Sequence, residues 1–334
     1  MSVHSADICS GLAWGDEAKG KIVAELSKSG SYDYVCRWAG GNNAGHTIYI
    51  DGVKYKTHLI PSGIFYGIPS IIGPACVINP EAFFEEVKYL ETNGFDITLI
   101  KISPKAQVIK EKHIQDDQKY LLKMQGTTSK GIAPCYSDKY RRVGTTASTI
   151  PELQKYMWDG KLDGNILCEG AQGFWLDIDQ GNYPYVTSST TLPYGACSLG
   201  FPPQKINKIY GAVKIYDTRS GIDPLFPESL FENKELLSVI EKGKEFGTTT
   251  GRKRKVNWLD LTHLIKATNI SGTTDLVVSK VDVLDSLKLY KLYYDDVIIN
   301  FDTLSDMQNF ISKTIRKNCP LVENITFSAT PYNI

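Results

Sequence analysis

An α/β fold with a mostly parallel central sheet, covered by helices on both faces, is what this sequence predicts. Three observations carry that expectation. Short apolar runs alternate with amphipathic ones along the chain, the pattern of strand and helix units. A glycine-bearing polar turn, Gly11 to Lys21, stands between an apolar lead-in (Ala6, Ile8, Leu12) and a run that reads as the opening of a helix (Ile22, Val23, Leu26). A late strand, Asp275 to Val278, ends in the polar tetrad Ser279-Lys280-Val281-Asp282. At 334 residues the chain is long enough for a large core, and it reads as a single α/β domain over 1–334.

After the first strand, turn and helix, an apolar run at Tyr34, Val35 and Trp38 leads into a second polar loop, Gly40 to Thr47. Asn79-Pro80-Glu81 opens an amphipathic helix through Phe83, Phe84, Val87 and Leu90, stopped at Gly94. Ile97, Leu99 and Ile100 read as a strand, His113 to Met124 as a helix with Leu121 and Leu122 inward, and Ile150 to Trp158 as a short helix. Ile166 to Glu169 reads as a buried strand and Ile206 to Tyr216 as a long alternating one. Trp258 to Ala267 follows as a helix, Asp275 to Val281 as a strand, Leu287 to Phe301 as a hairpin and Asp306 to Arg316 as the last helix. No repeat, low-complexity tract or linker divides them.

The turn carries the chemistry. Strand, glycine turn and helix N-terminus gather backbone N–H groups around a phosphate, with the helix dipole and a lysine adding positive potential. From Gly15 the spacing is G-x-x-x-x-G-K, so the fold is P-loop-NTPase-like. Ile22 stands where Ser or Thr normally holds Mg²⁺, and an acid, Asp16, lies inside the loop. A carboxylate among phosphate-binding amides asks for a metal, a base to act upon, or both. The tetrad at 279–282 resembles the guanine-reading [NT]-K-x-D element, in which an Asp accepts hydrogen bonds that adenine cannot donate.

Composition bounds the partners. Hydrophobic residues make up 42% and charges balance at 37 against 37, so no disorder, membrane span or general nucleic-acid surface is expected, and an anion site must be local. Seven scattered cysteines without a C-x-x-C pair read as buried reduced thiols, and the N-terminus shows no export signal, so the cytoplasm is expected. The run Arg252-Lys253-Arg254-Lys255 admits a solvated face or a nucleic-acid contact. It follows Gly247-Thr248-Thr249-Thr250-Gly251, however, and a glycine-bounded loop tipped with arginines suits closure on a small dianion. Of five histidines only His46 lies on a glycine-bounded loop, beside Asn43, and it is the candidate acid.

WGDEAKGK, GGNNAGHT, HLIPSGI (His58 to Ile64), GTTSKGIAP (Gly126 to Pro134), EGAQG (Glu169 to Gly173), YPYVTSS (Tyr183 to Ser189), FGTTTGRKRK (Phe246 to Lys255) and SKVD stand in the order seen in adenylosuccinate synthetases. From about Ala6 to Asp285 the chain resembles that family. The resemblance implies GTP-dependent joining of IMP and L-aspartate, with Asp16, His46 and Gln172 catalytic. It implies GTP on Gly15, Asp16, Glu17, Ala18, Lys19, Gly20, Lys21, Gly45, His46, Thr47, Arg254, Lys280, Asp282 and Ser328. IMP would meet Asp16, Lys19, Asn43, His46, Thr128, Arg142, Gln172, Thr187 and Arg252, and aspartate Thr249, Thr250, Arg252 and Arg254. Mg²⁺ would lie on Asp16 and the Gly45 carbonyl, and a homodimer would bring Arg142 from the partner subunit. Departures from the family pattern are Ala18 for Gly, Asn42 for His, Lys253 and Lys255 for Arg, Thr330 for Gly, and a shorter chain. Two alternatives accompany this reading: a viral relative joining aspartate to dGMP, which lacks the loop acid, and a GTP-binding switch, which would need no Arg252 loop.

Overall fold

The computed structural model of the chain describes residues 2–43, 45–247 and 251–329. Among them nine strands form one parallel sheet. Their order is Asn324–Ser328, Asp275–Ser279, Ile206–Lys214, Val3–Gly11, Gly164–Glu169, Tyr34–Gly40, Ser70–Ile78 and Ile100–Ile102, with Gln107–Val108 also paired to Ser70–Ile78. The first strand is central, with Ile8 opposite Cys168 on one side and Ile209 on the other. Its successive residues point to opposite faces, and both faces are covered. Ile8 packs with Trp38, Leu199 and Phe201, whereas Cys9 packs with Ile22, Val23 and Val35. Burial on both faces is why this strand lacks a clean apolar–polar alternation.

All these strands run one way, so the carboxyl ends of the central ones share an edge. The loops that leave Gly11, Gly40, Glu169, Lys214, Ser279 and Ser328 converge there, the position at which open parallel sheets bind ligands. A second sheet, Tyr216–Arg219, Lys255–Asp260, Lys291–Tyr294 and Val297–Asn300, flanks that edge. One core joins the two sheets: Val213 and Leu276 from the large one meet Val256, Trp258 and Leu292 from the small one, under Leu264, Met307 and Ile311.

Several expected elements shift. The long strand Ile206 to Tyr216 is divided between the sheets at Ile215, whose N–H donates to the Ser279 carbonyl at 2.9 Å. Ile97–Leu99 is a 3₁₀ turn started by Asp96, whose carboxylate accepts from the Thr98 N–H at 2.9 Å, and only Ile100–Ile102 is strand. Pro151–Tyr156 is 3₁₀ rather than α-helical. Trp258 lies in the Lys255–Asp260 strand, because Asp260 caps the following helix, Leu261–Ser271, by accepting from the His263 N–H at 2.9 Å. Val281 begins a helix instead of ending a strand, after Lys280 turns left-handed at φ 66°. The helix at 111–125 is broken by a π turn over Asp117–Leu121. The hairpin is present, Lys291 opposite Asn300, as are the helices Pro80–Thr92 and Leu304–Asn318. Unforeseen were the helices Ile132–Arg141 and Lys234–Gly243 and the hairpin of His46–Ile50 with Val53–Thr57.

Candidate active site

A cleft of about 750 Å³ opens at the shared edge. Its wall begins with the phosphate loop, where Gly15, Asp16 and Ala18 all take positive φ (90°, 63° and 68°). Left-handed backbone costs a non-glycine residue about 1–2 kcal/mol, so the Ala18 departure is a strained one. Glu17 turns away from the cleft: its carboxylate accepts from the N–H groups of Ala13 (3.2 Å) and Gly15 (2.8 Å) and from Lys19 Nζ (2.5 Å). The Glu17 side chain therefore shapes the loop, which lines the cleft from Gly15 to Lys21.

His46 crosses the start of the first helix so closely that a Cβ at Gly20 would lie 2.8 Å from its own. Its Nδ1 is ion-paired with Glu169, which is fully buried and also accepts from Ser62 through the N–H at 2.7 Å and the hydroxyl at 3.0 Å. Burial works to raise the Glu169 pKa, but the His46 charge and hydrogen bond, with the Arg37 guanidinium behind them, hold it below the usual carboxylate range. With Nδ1 committed, Nε2 is the ring nitrogen left for a ligand.

Asp16 meets Arg254 Nη2 at 2.9 Å, and Arg254 Nη1 meets Glu245 at 2.7 Å. Glu245 also accepts from Lys214 Nζ (2.9 Å) and the Tyr216 hydroxyl (2.8 Å). Burial opposes its ionisation, yet Lys214 and Arg254 keep its pKa at about 2. The basic run resolves into two faces. Arg252 and Arg254 line the cleft, whereas Lys253 and Lys255 pair away from it with Glu241 (3.2 Å) and Glu228 (2.5 Å). Alternation along extended backbone separates them. The two lysine departures thus fall outside the cleft.

Asn43, Gly45, Thr47, Thr128, Gln172 and Thr187 line the same cleft. The π turn explains the Thr128 loop: it turns Asp117 inward, where its carboxylate accepts from the Thr127 hydroxyl (2.6 Å) and the Gly131 N–H (2.9 Å). Arg252 Nη1 reaches back to the Gly126 carbonyl at 3.3 Å. Lys280 and Asp282 also line the cleft, with Lys280 Nζ on the Gly243 carbonyl at 2.9 Å. Lys21 donates to the Ser328 hydroxyl at 2.6 Å, and burial lowers its pKa to about 8. Arg142 is not brought to this cleft: it caps the Ile132–Arg141 helix, left-handed and exposed. Thr249, Thr250 and Thr330 lie outside the described residues.

The family model described as adenylosuccinate synthetase matches residues 8–162 and 150–297. The chain belongs to the adenylosuccinate synthetase family. Its similarity to the adenylosuccinate synthetase of Heliobacterium modesticaldum is 39% identity over 361 aligned positions, covering 89% of this chain and 83% of that one. The structure superposes on the fully ligated adenylosuccinate synthetase of Plasmodium falciparum with a TM-score of 0.84 at 28% identity, covering 98% of each chain. The succinoaminodeoxyadenylate synthetase of cyanophage S-2L, bound to dGMP and dATP, shares the fold at a TM-score of 0.70 and 18% identity, over 93% of this chain and 99% of that one. Among adenylosuccinate synthetase motifs, EGAQG was the one signal that could have exposed Glu169. Asp117, Lys214, Tyr216 and Glu245 carry no local signature of their place in the site.

Proposed function

We propose that the chain joins IMP to L-aspartate with cleavage of GTP, giving adenylosuccinate, GDP and phosphate through a 6-phosphoryl-IMP intermediate. The observation that carries this reading is the meeting of Asp16, His46 and Arg254 in one cleft that Lys280 and Asp282 also line. The hypoxanthine C6 oxygen is a poor leaving group and must be activated. The Asp16 carboxylate takes the N1 proton, O6 attacks the γ-phosphorus, and the bond to the β-phosphate oxygen breaks to release GDP. His46 donates to the developing phosphate charge, its ring held by Glu169. The aspartate amine then attacks C6, phosphate departs, and the amine loses its proton. Gln172 and Thr187 hold the base, Asn43 and Thr128 the IMP phosphate region, and Arg252 and Arg254 the carboxylates of aspartate, with Thr249 and Thr250 beside them.

Mg²⁺ fits the donor set. No cluster of three or more His, Cys, Asp or Glu suited to a metal exists among the described residues, and Mg²⁺ commonly takes one carboxylate plus substrate phosphates. The Asp16 carboxylate, whose Oδ2 meets Arg254, and the Gly45 carbonyl would hold the ion. When bound, the ion neutralises phosphate charge. Arg142 acts from a partner subunit in a homodimer. Supporting this, it is exposed outside its own chain's cleft, beside Tyr140 and Val143, which are 71% and 58% exposed. The shared core of the two sheets supports one domain over 1–334. The compartment is the cytoplasm; no helix among the described residues is long and apolar enough to cross a membrane.

The test is a substrate matrix followed by product absorbance: IMP or dGMP, each with GTP or ATP, with Mg²⁺ and aspartate. Turnover of IMP with GTP alone is expected. Turnover only with dGMP would assign the chain to the chemistry of the viral relatives, and GTP hydrolysis without any purine acceptor would favour a switch.

A further inference from the structure

Glu245 stands at the floor of the cleft, 1% exposed, just before the loop that carries the basic run. It holds Arg254 twice. Its main-chain carbonyl accepts from the Arg254 N–H at 2.9 Å, and its carboxylate accepts from Nη1 at 2.7 Å. The other partners complete the shell: Lys214 shares the same oxygen and the Tyr216 hydroxyl takes the other. Asp16, the second anion on Arg254, is a weaker anchor, because its side chain is 35% exposed and water screens it. Two residues before Glu245, the Gly243 carbonyl receives Lys280 Nζ at 2.9 Å. A buried carboxylate between two buried cations is a poor source of stability relative to apolar packing, and its best-attested use is to specify a geometry.

We propose that Glu245 is a positioning residue for the ligation. It clamps the Arg254 guanidinium beside Asp16, so that the incoming aspartate carboxylate meets preset donors, and the turn at Gly243 links that arginine to Lys280. The aspartate part of this inference rests on the function proposed above; the clamp itself does not. Arg254 stands just before the Lys255–Asp260 strand, and a guanidinium held at Nη1 by Glu245 and at Nη2 by Asp16 keeps a single orientation. Holding it in advance removes an ordering cost from aspartate binding.

The single variant Glu245→Gln leaves two buried cations facing an amide and is expected to fold poorly. The test therefore uses Lys214→Met with Glu245→Gln, which removes one cation together with the anion, and Glu245→Asp, which keeps the charge but withdraws the carboxylate by a methylene. Phenylglyoxal labelling of Arg254 in the full chain, read by mass spectrometry, should quicken in both, while Lys214→Met alone stays protected. In parallel, the aspartate KM should rise about 10- to 100-fold, the loss typical of removing a supporting partner, with the IMP KM changed by less than about threefold. Unchanged labelling in folded Glu245→Asp overturns the clamp, and so does Lys214→Met labelling as fast as the double variant. Faster labelling with an unchanged aspartate KM keeps the clamp and instead refutes the placement of aspartate on Arg254.

Discussion

Replacing Glu169 with Gln tests whether the buried partner of His46 contributes to turnover. The amide keeps the size of the carboxylate and an oxygen for the Ser62 N–H, now accepted at 2.7 Å, so the loop at Ser62 should hold its place. What changes is the charge beside Nδ1. A hydrogen bond involving a charged group is worth about 1.5–3 kcal/mol and a neutral one about 1, so the exchange removes about 0.5–2 kcal/mol of support for a positively charged imidazole. If that support acts where phosphate charge develops, kcat falls about 2- to 30-fold with little change in the KM of either nucleotide. Steady-state kinetics on the variant, with a thermal melt to confirm folding, reads this directly. A folded variant with the kcat of the parent would refute the reasoning, because even the smallest calculated loss is about twofold. The pH dependence has a definite sign. The folded-state pKa of Glu169 is depressed, so its contribution is present above the unfolded carboxylate value and is lost as pH falls through the folded value. The parent should therefore lose stability on acidification more steeply than Glu169→Gln, measured as Tm against pH from neutral downward.

The other expectations are briefer. Asp16→Asn should bind both nucleotides and lose turnover by about 10² to 10⁴, the usual size of a lost general base, and substantial residual activity would remove Asp16 from that role. Asp282→Asn should weaken GTP by about 1.5–3 kcal/mol and favour XTP, whose 2-oxo group can accept from the amide; an unchanged GTP to XTP ratio would mean that another element reads guanine. Arg142→Leu should raise the KM for IMP far more than that for GTP, and mixing it with Asp16→Asn subunits should restore activity in hybrid sites. No recovery under demonstrated subunit exchange would end the proposal that Arg142 acts across a dimer. Ala18→Gly should raise stability in denaturant melts by up to about 1 kcal/mol, since glycine is unstrained at φ 68°, and a clear loss would show that the methyl group packs usefully.

The Gly11 to Lys21 turn, the strand ending at Ser279 and the parallel α/β plan were legible in the sequence because each is written locally. Glycines mark left-handed turns, an acid among amides implies its ligand, and apolar runs separated by helical ones imply a parallel sheet. The same local logic failed where a residue's state depends on distant partners. Trp258 follows its neighbours in the second sheet rather than the helix after it, and Tyr216 leaves the strand that precedes it, because sheet pairing is decided across the chain. The pairs that finish the site depend on tertiary structure for the same reason. Glu169 ends the strand that lies beside Tyr34–Gly40, and His46 opens the hairpin that follows that neighbour along the chain, so the two meet at one edge of the sheet. Glu245 reaches Lys214 and Tyr216 because the chain changes sheets between those two residues. Which lysines of the basic run leave the cleft was likewise set by the facing of an extended segment. The sequence by itself determined which loops bear the chemistry, since backbone conformation is encoded within a few residues; only the folded chain decided which buried charges stand behind them, since an ion pair in the core needs two segments whose separation along the chain carries no signal.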